Sequence, residues 1–162
     1  MLGRKPLLLS SVALAVFLVG PTAADEPELD LRAVVDPHLI CPHDQTAVTK
    51  KYGEVESVST TALLNRITHC TPPRMPELAR STRIQGTAVV EVVVNQWGRV
   101  GCLRFVRGHP LLAGSAMTAA ATWTFRPYKI RNAPVAISGN LVFHFSTSRA
   151  SPKTGSCSEA RW

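Results

Sequence analysis

The side chains best able to do chemistry sit in two short runs, His38-Leu39-Ile40-Cys41-Pro42-His43 and His69-Cys70. Imidazole nitrogens and thiolate sulfurs in this number can hold a divalent metal. A redox- or metal-responsive protein using His38, Cys41, His43, His69 and Cys70 is therefore one reading. The spacing fits no established zinc pattern, and oxidised cysteines supply no thiolate. The favoured reading makes Cys41 and Cys70 structural and expects no metal and no cofactor. Enzyme chemistry finds little footing, because the chain has no Gly-x-Ser-x-Gly elbow, no His-Glu-x-x-His, no phosphate loop and no Cys-x-x-Cys. His109 and His144 stand isolated, the first suited to capping a turn and the second to the solvent side of a strand.

What the cysteines do depends on the compartment. The chain opens Met-Leu-Gly-Arg4-Lys5, runs apolar from Pro6 to Gly20, and reaches Pro21-Thr22-Ala23-Ala24 before Asp25. Basic start, short apolar middle and small residues at the cut form the pattern of a secretory signal, with cleavage expected after Ala24. A retained inner-membrane anchor is the alternative, but a span needs about 20 apolar residues and this run has about 15. In an oxidising compartment an even number of thiols usually pairs. Cys41, Cys70, Cys102 and Cys157 then make two disulfides. Three pairings are open, and a short helix running back along the first strand would favour Cys70 with Cys102 and Cys41 with Cys157.

The 162 residues carry a formal net charge of +7 and are 45% hydrophobic, enough for one modest core with an appended segment. Loss of the signal removes Arg4 and Lys5, yet the mature chain stays basic. Outside the cytoplasm such a surface suits anionic lipid, cell-wall polymer or an acidic peptide better than nucleic acid, although solubility alone is the plainer explanation. Residues 25–71 read as a tether followed by weak structure, with a brief strand near Glu54–Val58 and a helix from Ala62 to Ile67 capped by Thr60 or Thr61.

Residues 72–147 are clearer. Pro76 suits the first turn of a short helix, and Gly86 ends it. Thr87–Asn95 is β-branched almost throughout, with Ala88, Val90, Val92 and Val94 on one face. Asn95-Gln96-Trp97-Gly98 makes a hairpin connection, with Gly98 at positive φ. The return strand Arg99–Arg107 has Val100 out of phase with Leu103 and Phe105, which a bulge near Gly101 repairs. A helix follows from Leu111 to Trp123 with Leu112, Ala116, Ala120 and Trp123 on one stripe. Residues 128–133 are expected as loop. A last strand alternates Val135, Ile137, Leu141, Phe143 and Phe145 with Ala136, Ser138, Asn140, Val142 and His144. Residues 148–162 read as a polar tail.

The expected fold is α+β: a three-stranded antiparallel sheet with two helices on one face and a core of Leu112, Trp123, Phe125, Pro127, Phe143 and Phe145. Such a small core usually yields roughly 3–5 kcal/mol, so a disulfide or a second subunit would help. Val89, Val93 and Val142 face away from the helices, and the upstream segment or a partner should cover them.

Taken in order, Met75-Pro76, Ala79, Arg83-Ile84-Gln85-Gly86, the valine-rich strand, Trp97-Gly98-Arg99-Val100, Arg107-Gly108-His109-Pro110-Leu111-Leu112, Trp123-Thr124-Phe125-Arg126-Pro127 and Pro134-Val135 through Phe143-His144-Phe145 closely resemble the TonB C-terminal domain family. The resemblance implies a non-catalytic periplasmic module that couples an inner-membrane motor to outer-membrane receptors by gripping a short extended receptor peptide. An open sheet edge would take that peptide as an added strand. The last strand, Ala136–Ser146, is the candidate edge, with Asn140, Val142 and His144 as the side chains that read the visitor. The same edge could instead pair two copies in a homodimer. A freestanding envelope adaptor that dimerises or binds cell wall, without energy coupling, is the alternative function.

Overall fold

The computed structural model describes residues 35–147. The expected cut after Ala24 and the tail carrying Cys157 lie outside the described residues.

Two long strands and one helix form the centre. β3 (Gly86–Val94) keeps the expected alternation, and its Ala88, Val90, Val92 and Val94 are buried in the main core. The chain reverses through Asn95, whose side-chain oxygen accepts the backbone N–H of Trp97 and of Arg99, each at 3.0 Å. Gly98 sits at φ 82°, and a Cβ there would stand 1.9 Å from the Phe125 carbonyl oxygen, so both the turn and its neighbour require glycine. β4 (Val100–Arg107) returns antiparallel with the phase break expected at Gly101: Val93 pairs with Cys102 but Val94 with Val100. A second irregularity, between Val89 and Val90, leaves Val106 without a partner in the ladder.

α4 (Pro110–Ala121) crosses the sheet. His109 caps it, with Nδ1 accepting the Leu111 N–H at 3.2 Å, and Pro110 occupies the first turn, where its missing N–H costs nothing. Leu112, Ala116 and Ala120 are buried against the strands, and small side chains permit that close approach. Trp123 then plugs the core: it packs edge-on to Phe143 at 5.3 Å and donates Nε1–H to the Thr71 carbonyl at 2.8 Å. Phe125, Phe143, Phe145 and Leu112 are buried as expected, but Pro127 is exposed. Its role is at the surface, where its carbonyl accepts Arg66 Nη1–H at 3.2 Å.

The sheet is larger than three strands. β7 (Ala133–Phe145) pairs antiparallel with β3 from Gly86↔Phe145 to Val94↔Ile137, and parallel with β1 (Val55–Ser57) from Val55↔Ala136 to Ser57↔Ser138. The order β1-β7-β3-β4 is completed by β6 (Tyr128–Ile130), which also pairs with β7. Residues 128–133 are thus a tight hairpin instead of a loop, with Arg131 and Asn132 both at positive φ. Asparagine tolerates that conformation, and two such residues give the twist a two-residue hairpin needs. Separately, β2 (Ile67–His69) pairs with β5 (Thr124–Phe125).

Helices lie on both faces. α3 (Glu77–Ser81) and α2 (Thr60–Leu64, capped by Ser59) contribute Ala79 and Leu63 to the same core as α4. α1 (Gln45–Tyr52) lies on the opposite face, where Val48 packs with Val93, Cys41 and Cys102 beneath Tyr52 and Val55. Residues 35–70 are therefore part of the fold, and they supply the expected cover over Val93. The Tyr52 ring packs against Gly101, its hydroxyl donating to the Gly101 carbonyl at 2.7 Å.

Candidate functional site

Sheet edges offer unpaired backbone N–H and C=O groups, and the two edges of this sheet differ. At β4 the upstream chain closes the outer side. Residues 37–39 form a 3-10 turn capped by Asp36, Ile40 then bridges to Leu103, and Cys41 N–H donates to the Leu103 carbonyl at 2.8 Å. A disulfide joins Cys41 to Cys102. The expected pairings of Cys70 with Cys102 and Cys41 with Cys157 are thereby overturned. The upstream chain passes along β4 and onto the face away from α4, which places Cys41 at Cys102 directly. Cys70 is also disulfide-bonded.

At β7 the described residues cover the outer side only in part. β1 pairs over Ala136–Ser138, and the Val58 N–H adds one bond to the Ser138 carbonyl at 2.8 Å. The chain then turns away into α2, whose Leu63 rests against Gly139. From Asn140 to Phe145, β3 is the partner strand of β7 among the described residues.

Asn140, Val142 and His144 all project from the sheet face opposite α4, in register with Glu91, Val89 and Thr87 of β3. Asn140 and His144 are exposed and Val142 is half-buried. His144 Nδ1 lies 3.1 Å from the Thr87 hydroxyl, which holds its ring against the neighbouring strand. Glu91 is ion-paired to Arg104 of β4 through Nε at 2.9 Å and through Nη2. Across three strands this makes a row of Asn140, Glu91 and Arg104, beside a small cleft roofed by α1 and lined by Cys41, Val48, Thr49, Val93 and Ser138.

The candidate metal ligands do not come together. Cys41 is spent in its disulfide, and no group of three His, Cys, Asp or Glu side chains with metal-binding geometry occurs among the described residues. His109 is used as a helix cap. The closure of β4 by residues 36–41 leaves no signal in the sequence, because nothing in that stretch alternates like a strand.

Residues 71–147 match the family model described as the Gram-negative bacterial TonB protein C-terminal. Among solved structures, the solution NMR structure of the Pseudomonas aeruginosa TonB CTD is similar at 20% identity with a TM-score of 0.44, over 54% of this chain and 89% of that one. No curated protein matches.

Proposed function

We propose that the TonB C-terminal family domain at residues 71–147 holds an extended peptide of an outer-membrane receptor or other envelope protein by strand addition to the open half of β7, in the periplasm and in the service of TonB-dependent transport. The observation that carries this reading is the partial coverage of one edge strand. β1 stops at Ser57, opposite Ser138, and Asn140–Phe145 continue with β3 as their strand partner among the described residues. A visitor adding there gains main-chain hydrogen bonds that are indifferent to its sequence, while side chains on alternate residues provide selection. Asn140 and His144 offer hydrogen-bonding groups on one face and Val142 an apolar step between them. Phe143 and Phe145 face the core and keep the strand rigid. No catalytic step and no cofactor is assigned to the domain.

The test is a titration of the isotope-labelled chain with a short peptide from the periplasmic end of an outer-membrane receptor, followed amide by amide. The expected result is perturbation and slowed exchange at residues 140–145, with Arg104–Arg107 of β4 unchanged. Perturbation confined to β4 would sink the proposal. A concentration-dependent dimer that protects the same β7 amides without peptide would instead assign the edge to self-pairing, the adaptor role.

A further inference from the structure

Two turns leave the sheet at the same end. β3 stops pairing with β7 at Val94↔Ile137, and the β3–β4 turn follows at once. β7 extends past that point through residues 133–136 to its hairpin with β6, so the β6–β7 turn projects beyond the same end. Each turn carries a large apolar side chain outward: Trp97 is 70% exposed and Ile130 40%. Both sit on turns that project from the end of the sheet.

The charges carried by the two turns and their flanking residues are basic. Arg99, Arg126, Lys129 and Arg131 are exposed beside the two tips. From Val92 to Ser158 the chain contains no Asp or Glu. The acids of the described residues all lie upstream, and those on the strand next to β7 are Glu54, just before β1, and Glu56, within it; β1 pairs with β7 at Ala136–Ser138, short of the β6–β7 turn. The turns are also held in shape. Asn95 locks the first through two side-chain hydrogen bonds, and Phe125 N–H donates to the Gly98 carbonyl at 2.8 Å. Arg126 is fixed by Nη2–H to the Asn65 carbonyl at 2.6 Å, and Arg66 lies over the Tyr128 ring at 4.4 Å, close beneath the hairpin.

We propose that this end of the sheet docks on an anionic phospholipid surface, with Trp97 and Ile130 at the headgroup boundary and Arg99, Arg126, Lys129 and Arg131 facing the phosphates. A peptide needs a groove or an open edge to hold it, whereas projecting apolar tips flanked by cations match a soft surface that yields to them. Indole is the side chain most at home at the headgroup level, apolar in body with one N–H to donate. Basic residues near an anionic leaflet each strengthen attachment about fivefold. The preformed turns lose little freedom on contact. The open half of β7 lies at the other end of that strand, so membrane docking leaves it accessible.

The experiment is flotation of the purified full chain with vesicles of phosphatidylcholine alone and of phosphatidylcholine with phosphatidylglycerol, repeated for Trp97→Ala and for the double variant Lys129→Gln with Arg131→Gln. The zwitterionic vesicles account for any insertion through the apolar run Pro6–Gly20. The expected result is selective binding to the anionic vesicles, weakened on the order of 30-fold in the double variant and about tenfold in Trp97→Ala, and reduced by salt. All three side chains are exposed, so far-UV circular dichroism should be unchanged in the variants. Equal binding to both vesicle types, or anionic binding that neither variant weakens, overturns the proposal. Equal competition by soluble polyglutamate, with Trp97→Ala binding like the parent chain, also overturns it and reassigns the patch to an acidic polymer.

Discussion

The two halves of the described chain fold by different rules. From residue 71 onward the central elements are long: β3 and β7 share a continuous ladder from Gly86↔Phe145 to Val94↔Ile137, and α4 lies across it. From 35 to 70 the elements are a single 3-10 turn, two helices of eight and five residues, and two three-residue strands. None of these pieces could persist alone, since a short helix or a lone three-residue strand has no cooperative unit to hold it. The downstream half carries its structure in its own periodicity. The upstream half takes its shape from the surface it lies on, touching both sheet faces and both edge strands.

The strongest way to break that comparison is Trp123→Ala. Trp123 joins the halves, filling the core against Phe143 and donating to the Thr71 carbonyl. Its removal leaves a cavity and an unpaired carbonyl, and should lower stability by about 4 kcal/mol. Chemical denaturation followed by circular dichroism checks this, and both halves should melt together. A loss under 1 kcal/mol would mean that the packing described here does not carry the fold.

A somewhat smaller effect sharpens the comparison. Cys41→Ala with Cys102→Ala removes a link across a sequence separation of 61 and should cost about 3 kcal/mol. Hydrogen exchange should then quicken first in α1 and in residues 36–41, while the β3–β7 ladder stays protected. If the ladder and α1 quicken equally, the upstream half is not a separable layer.

The smallest effect concerns acid. Asp44 caps α1, accepting the Thr46 N–H at 3.0 Å and the Thr46 hydroxyl. That hydroxyl first, and the N–H second, hold its carboxyl below the ordinary 3.8. A depressed folded-state value means the cap's contribution is complete above pH 3.8 and is lost as pH falls through the folded value. Local exchange in α1 should therefore rise in acid below that point, and Asp44→Asn should remove the pH dependence. An unchanged acid profile in the variant would sink the assignment.

Most of the downstream half was legible because its signals are long or geometrically forced. Alternation over nine residues marks β3, the phase slip at Val100 demanded a bulge at Gly101, and His109-Pro110 is a cap followed by a first turn. The hairpin at Arg131-Asn132 was missed because its signature Asn-Gly is absent and left-handed Arg131 is tolerated only where strands on both sides enforce it. The upstream half was largely illegible for the same reason that it is short: Gln45–Tyr52 has little amphipathic pattern, since α1 buries Val48 alone. The disulfide was misassigned because pairing depends on which sheet face the upstream chain crosses, and local pattern carries no such information. At the candidate edge the alternation placed Asn140, Val142 and His144 on one face, but the partial cover by β1 needed three dimensions to see.

The unequal edges also set how many molecules can join. A sheet with two free edges can accept a neighbour on each side and grow without limit. Here Ile40 and Cys41 block the outer side of β4 at Cys102–Leu103, and what remains of that strand carries Arg104, Arg107 and the kink at Val106. If the proposed strand addition uses the half of β7 left open among the described residues, growth would end after a single addition, giving one visitor to one domain or a closed two-fold pair.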